Sequence, residues 1–282
     1  MRRLKAIAAN SILVLVLTGL AAGGCDLISP PGSGSDDRVV LPEADDAALS
    51  DSVRALYRTD AGRLALRHVR ADSTEAAHRV RLPDRLVETF YNTLIHVHTA
   101  ESLQGREEVV EEFGIHTFPR PVVVHELIVS PDSTASWKSA WESGNRLTGN
   151  EAVDRLVQEY DLQLAEYDDS FSYGLLRSAT PLNIPALAER FERIGSVRYA
   201  EPGGHGGDGS DISATLGDDF VELRYSFGYG DCWAGCIHRH YWTFRVYEDG
   251  RVTFEGESGD SIPDDVYIPK RANAQTRNAP TR

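Results

Sequence analysis

The chain has 282 residues, 43 acidic against 29 basic, a formal net charge of −14 and an apolar share of 41 %. That composition is globular, with length enough for one large or two small domains and a sizeable core. The acidic balance argues against a nucleic-acid binder, which neutralises phosphates with Lys and Arg, and against a polybasic membrane patch. Lys occurs only at Lys5, Lys138 and Lys270, so nearly all positive charge is Arg. An acidic, Lys-poor surface fits a salty medium, where net charge supports solubility.

Arg2, Arg3 and Lys5 form a basic start, and residues 12–17 are the centre of an apolar stretch. That stretch is short for a membrane span, and its flanks are those of an export signal. It runs into Gly19, Leu20, Ala21, Ala22, Gly23, Gly24 and Cys25. This run resembles the leader of bacterial lipoproteins. The resemblance implies cleavage before Cys25, a diacylglyceryl group on its sulfur, and a protein anchored by lipid in the cell envelope. Several acyl chains make such an anchor lasting, since each buried CH₂ contributes about 0.8 kcal/mol. Loss of residues 1–24 removes three positive charges and no negative ones, so the mature chain is three charges more negative than the whole. Residues 25–42 follow as a tether, because Pro, Gly, Ser and charge without apolar period cannot pack a core.

Residues 43–118 read as helical. Leu49, Val53, Leu56 and Tyr57 recur at helical spacing, and Leu64, Leu66 and Val69 more loosely. Pro83 and Asp84 suit a first turn, after which Leu86, Val87, Phe90, Tyr91, Leu94 and Val97 share one face. A short helix over 108–113 is closed by Gly114.

Residues 119–202 change character. Strands are expected over 121–129, 162–167, 173–178 and 197–200. Helices are expected over 133–143, 151–160 with Asn150 as N-cap, and 183–194. Taking the first two helices as one broken crossover, the order is a ferredoxin-like βαββαβ plan. The stretch 187–202 ends in Val197, Arg198, Tyr199, Ala200, Glu201 and Pro202. It resembles the close of a subtilase propeptide domain, a ferredoxin-like fold that assists and inhibits a protease. The resemblance implies the fold and names a protease as one conceivable partner. No nucleophile elbow or triad signature accompanies it.

Residues 203–260 read as a Gly-rich connector and then an antiparallel meander, placed in the chain to extend the preceding sheet. Val221, Leu223, Tyr225 and Phe227 alternate with Glu222, Arg224 and Ser226, the period of a strand. Glu248, Asp249 and Gly250 make a hairpin turn. Residues 261–282 read as a tail. The fold class expected is therefore α+β: a helical region, a ferredoxin-like middle and a C-terminal meander.

The densest chemical candidate is Cys232-x₃-Cys236 with Trp233, His238, His240, Tyr241 and Trp242. In an oxidising compartment two nearby Cys most simply form a disulfide, here bracing a loop between two strands. Closing so small a ring stabilises by roughly 2–3 kcal/mol at most. The alternative is a metal site, in which Cys232, Cys236, His238 and His240 supply soft and borderline donors of the kind zinc or copper takes. The spacing matches no common zinc module. His96 and His98, two apart on a helix, fall on different faces. His125-Glu126 lacks the second His of a zinc protease. Trp137 and Trp141 are one turn apart and read as core. With no complete catalytic constellation, the expectation is a non-catalytic binding or structural module without a cofactor. The alternatives are a protease-inhibitory, propeptide-like domain and a metal-binding protein or metalloenzyme using the Cys/His cluster with zinc or copper. Its expected contacts are the membrane through the lipid, an envelope protein or a protease, and no nucleic acid.

Overall fold

A computed structural model describes residues 39–71, 75–119, 122–204 and 206–264. The expected leader, Cys25, most of the tether, and residues 265–282 of the tail lie outside the described residues. The protein is mixed α+β, with five α-helices and two four-stranded antiparallel sheets among the described residues. None of these helices is long and apolar enough to cross a membrane.

Helices α1 (Asp51–Ala71) and α2 (Asp84–Thr99) pack on one another. Pro83 begins α2 at its N-cap, where its missing N–H costs nothing. Tyr57, Leu64, Ala65 and Val69 of α1 and Leu86, Phe90, Leu94 and Val97 of α2 are buried. Leu56, expected on the inner face, is 41 % exposed, because the buried face of α1 turns about Tyr57 and Ala61 instead. The short helix is a π-helical turn, Glu107–Glu112, in which Phe113 N–H reaches back to the Glu108 carbonyl. Gly114 follows at φ +55°, as its expected place at a helix end requires.

One sheet holds β1 (Glu126–Pro131), β2 (Gln163–Asp168), β3 (Tyr173–Arg177) and β4 (Val197–Pro202), in the order β2-β3-β1-β4. Between them run α3 (Lys138–Glu142), α4 (Glu151–Glu159) and α5 (Ile184–Glu192). Asn150 and Asn183 cap α4 and α5, each accepting backbone N–H bonds of the first turn. Strand β1 starts later than expected. Val122 and Val124 are spent in a different core, and Val124 and His125 already bond to Leu182 and Ser178 across the sequence. Only the end of the segment expected to be helical over 133–143 winds into α3, where Trp137 and Trp141 meet edge to face at 5.1 Å.

The meander is β5 (Asp211–Leu216), β6 (Phe220–Tyr229), β7 (His238–Tyr247) and β8 (Val252–Gly259). It does not extend the first sheet but forms a second of its own, in sequential order. Its inner face, Val221, Leu223, Tyr225, Trp242, Phe244 and Val246, is covered by α1 and α2 in one hydrophobic core. The first sheet and α3–α5 form another core. The helical region and the meander, separated by about a hundred residues of chain, are thus one body, and the segment carrying the first sheet is inserted between them. The outer face of the second sheet is dressed in Arg over aromatic rings: Arg224 over Tyr241 at 3.8 Å and Arg251 over Tyr247 at 3.9 Å. This gives the Arg-rich composition a structural use that Lys, with no planar group, serves poorly.

The ends need correction. Val39 and Leu41, placed in the tether, are buried in the helix–meander core. Ser261 and Ile262, placed in the tail, are also held, by a bond from the Tyr229 hydroxyl and by packing on that core.

Gly62 shows how tightly the two bodies meet. It is buried in the middle of α1, and a Cβ there would strike the ring of Pro181, with Cγ at 2.7 Å. Helix propensity alone makes Gly62→Ala stabilising by about 1 kcal/mol. We expect the opposite sign, a loss of about 1–3 kcal/mol in urea unfolding, because the loop carrying Pro181 must shift. A stabilised variant would show that no such close approach exists.

Candidate functional site

The loop between β6 and β7 carries the expected Cys pair. Cys232 and Cys236 are at disulfide distance, with S–S 2.24 Å. Gly235 at φ +137° supplies the turn inside so short a ring, and Gly230 at φ +89° turns the chain out of β6 ahead of it. The end of the Gly-rich connector, Asp208 and Gly209, is what holds the loop. Asp208 N–H donates to the Cys232 carbonyl at 2.8 Å, and Cys236 N–H donates to Asp208 Oδ2 at 3.0 Å. Arg239 donates to the other oxygen of Asp208 and, at 2.9 Å, to the Gly209 carbonyl. Burial opposes the charge on Asp208. The bonds from Arg239, Cys236 and Gly209 outweigh it and hold the carboxyl below its ordinary value.

On this clamp Trp233 stands 84 % exposed and Ile237 66 % exposed, whereas Trp137, Trp141 and Trp242 are buried. The other expected members of the site are dispersed by strand alternation. Trp242 points into the helix–meander core between His240 and Phe113, at ring distances of 4.5 and 5.5 Å. Tyr241, one residue earlier, faces outward under Arg224. His238 stacks on Tyr229 at 5.2 Å and bonds to Asp260 at 3.1 Å. His240 bonds to the Asp260 carbonyl at 2.8 Å and to Glu257 at 3.3 Å. The five residues therefore do not form one surface.

The alternative metal set is not assembled either. The two sulfurs are joined to each other, and the two imidazoles turn to Asp260 and Glu257. Among the described residues no three His, Cys, Asp or Glu side chains converge as a metal-holding group.

A second polar constellation, absent from the expected site, lies inside the helix–meander body. Asp60 of α1 is fully buried and accepts three bonds: from Thr117 N–H at 3.0 Å, from the Thr117 hydroxyl at 2.5 Å and from His116 Nδ1 at 2.6 Å. One turn back, Tyr57 meets His98 Nδ1 at 2.8 Å, and burial followed by the charge of Asp60 pushes its phenol far above the usual range. His96 turns elsewhere, to the Pro42 carbonyl, as its different face requires. Arg106 donates to the His98 carbonyl and to Glu111. An Asp–His pair is an element of many general-base sites. Here Asp60 also anchors the Thr117 backbone and hydroxyl, so the arrangement ties α1 to the 116–117 segment as a structural clasp. No sequence signal marks it, because Asp60 and Thr117 are 57 residues apart.

Beside it His125 bonds through Nδ1 to the Ser178 carbonyl at 2.9 Å and through Nε2 to the Thr59 hydroxyl at 3.1 Å. Burial first, and the nearby Arg63 cation, push its pKa below the ordinary His value, against the pull of the Ser178 bond and Glu126. The unfolded chain therefore takes up a proton on His125 at higher pH than the folded one. Between the two pKa values the unfolded state binds more protons, so stability rises with pH there and is lost as pH falls below about 6.5. We expect the unfolding midpoint to fall less steeply from pH 7 to pH 5 in His125→Gln than in the parent. Parallel pH profiles would remove His125 as a source.

Comparison with protein-family models, curated proteins and solved structures gave no match for this chain.

Proposed function

We propose that this is a lipid-anchored protein of the bacterial envelope, held by Cys25. Its folded part is a non-catalytic binding module that engages a protein partner through the loop 230–237. The observation that carries this reading is the exposure of Trp233 and Ile237 on a disulfide-closed, Asp208-clamped loop, while the other three Trp are buried. A large aromatic held rigid in solvent loses little freedom on contact, and such residues dominate interface energies. The test places a photo-reactive residue at the exposed Ala234 and irradiates intact envelopes. A discrete adduct is expected. It should be lost in Trp233→Ser with Ile237→Ser, at unchanged thermal stability. The absence of any discrete adduct, or one indifferent to both substitutions, refutes the loop as a contact. Cys25→Ser should release the protein from membranes or stall its processing, and unchanged fractionation refutes the anchor.

The finer fold reading for 126–202 is ferredoxin-like. It is supported by the order β-α-α-β-β-α-β, the antiparallel β2-β3-β1-β4 sheet, and the packing of α4 and α5 on Leu127, Val129 and Leu176. One observation favours a second functional reading, that of a protease-inhibitory, propeptide-like domain. Ile128, Tyr173, Leu175 and Tyr199 of this sheet are only half-buried, and Phe171 beside them is 70 % exposed. If that reading holds, the protein slows a subtilisin-type protease without being degraded. Plain digestion at the uninhibited rate decides against it.

A further inference from the structure

A cleft of about 290 Å³ opens on the seam between the two bodies. It is lined by Arg58 of α1, the 81–88 segment that leads into α2, and residues 180–182 between β3 and α5. Its apolar lining, Leu82 and Val87 from the helix–meander side and Pro181 and Leu182 from the inserted side, comes from both bodies. Seams between packed bodies are a preferred place for small-molecule sites. The volume sits at the lower edge of the ~300–1,000 Å³ usual for such sites, which suits a compound of amino-acid or dipeptide size.

The charges at the rim divide into spent and unspent. Arg58 is spent: it pairs with Glu88 and lies over the Tyr91 ring at 3.6 Å. Arg81 is held in place but not neutralised. Its Nη2 donates to the Glu159 carbonyl at 2.8 Å and its guanidinium lies 5.5 Å from the Tyr160 ring centre. It has no carboxylate partner among the described residues, so its Nη1 and Nε donors are available for a planar anion. Asp84, three residues on at the first turn of α2, likewise has no hydrogen-bond or ion-pair partner among the described residues. An apolar cleft with one anchored, unpaired guanidinium and one unpaired carboxylate complements a molecule with the same three features reversed.

We propose that this cleft binds a free apolar α-amino acid or a dipeptide of such residues. The ligand's carboxylate bonds to Arg81, its ammonium pairs with Asp84, and its side chain lies against Leu82, Val87, Pro181 and Leu182. The guanidinium fork suits a carboxylate in a way an ammonium does not. This site is independent of the loop at Trp233.

The test uses the full-length protein with L-leucine and L-leucyl-L-leucine as probes, followed by saturation-transfer NMR. Saturable binding is expected at or below the order of 10 mM, a free energy near −3 kcal/mol. N-Acetyl-L-leucine, which lacks the ammonium, and L-leucinamide, which lacks the carboxylate, should each bind about tenfold more weakly or worse, the loss of about 1.4 kcal/mol for one charged contact. Arg81→Gln should erase the preference for leucine over leucinamide, and Asp84→Asn the preference for leucine over N-acetyl-leucine. Both side chains are exposed, so an unchanged melting temperature is the control for folding. No saturable signal from either probe overturns the proposal. So does leucinamide binding as tightly as leucine, or probe binding indifferent to both substitutions.

Discussion

Asp60→Ala should lower the unfolding free energy by about 3–5 kcal/mol, the range for removing one partner from a buried ionic cluster. The carboxylate is wholly buried and satisfies Thr117 N–H, the Thr117 hydroxyl and His116 Nδ1 together, with Arg63 at 3.9 Å. Its removal leaves a buried backbone donor unpaired and Arg63 without its nearest countercharge. Each orphaned polar group costs about 1–3 kcal/mol, and a whole domain is stable by only about 5–15 kcal/mol. At roughly 2–4 °C per kcal/mol for a chain of this size, the melting temperature should drop by on the order of 10 °C. Asp60→Asn should lose less, because its amide oxygen can still accept from Thr117. Urea unfolding followed by circular dichroism measures both. A midpoint within about 0.5 kcal/mol of the parent would falsify the clasp, since that is the scale of an ordinary surface substitution.

The second large effect concerns architecture. A chain ending after residue 204, without β5–β8, should not retain α1 and α2 as a cooperatively melting unit. The inner faces of these helices, with Leu64, Phe90 and Leu94 at most 2 % exposed, are covered by Val221, Leu223, Tyr225, Phe244 and Val246 of the meander. Helices stripped of the surface they bury against are marginal in water. Three further ties would go too: Arg67 to the Ile212 carbonyl at 2.6 Å, Arg67 to Asp211 at 2.9 Å, and Phe118 N–H to Asp211 at 2.7 Å. The expected result is a broad, non-cooperative thermal transition for the helical signal and binding of a hydrophobic dye. Removal of 126–202 instead, with a short bridge in its place, should leave the helix–meander core cooperative, because that insert owns a separate core. A sharp two-state melt of the chain lacking the meander would show that the helices stand alone.

Much of the secondary structure could be read locally. The caps at Asn150 and Asn183, the turn at Gly250 with φ +80° and the alternation along β6 each depend on residues within a few positions of one another. The Cys pair was legible for the same reason, four positions apart and with Cys25 the one other Cys of the sequence. The candidate site was legible only in part. Composition singled out the residues around Cys232, but alternation in β7 sends Trp242 inward and Tyr241 outward, and only Trp233 and Ile237 remain presented.

What the sequence by itself determined is which stretches carry helices and strands and, for most of them, which face is apolar, because those signals are carried by short-range hydrogen bonding and period, while bounds such as those of β1 and α3 shifted with their surroundings. Only the tertiary structure decided which apolar face covers which. An amphipathic helix is satisfied by any complementary surface, and hydrophobic attraction is non-directional. So the region read simply as helical, residues 43–118, shares one core, through its described residues, with the meander of 211–259. The clasp at Asp60 and the cleft at Pro181 are tertiary features of the same kind, the first joining α1 to 116–117 and the second lying between α1, the start of α2 and residues 180–182. Both bring together residues far apart in the chain, Asp60 bonded to Thr117 and Arg58 lining one cleft with Pro181.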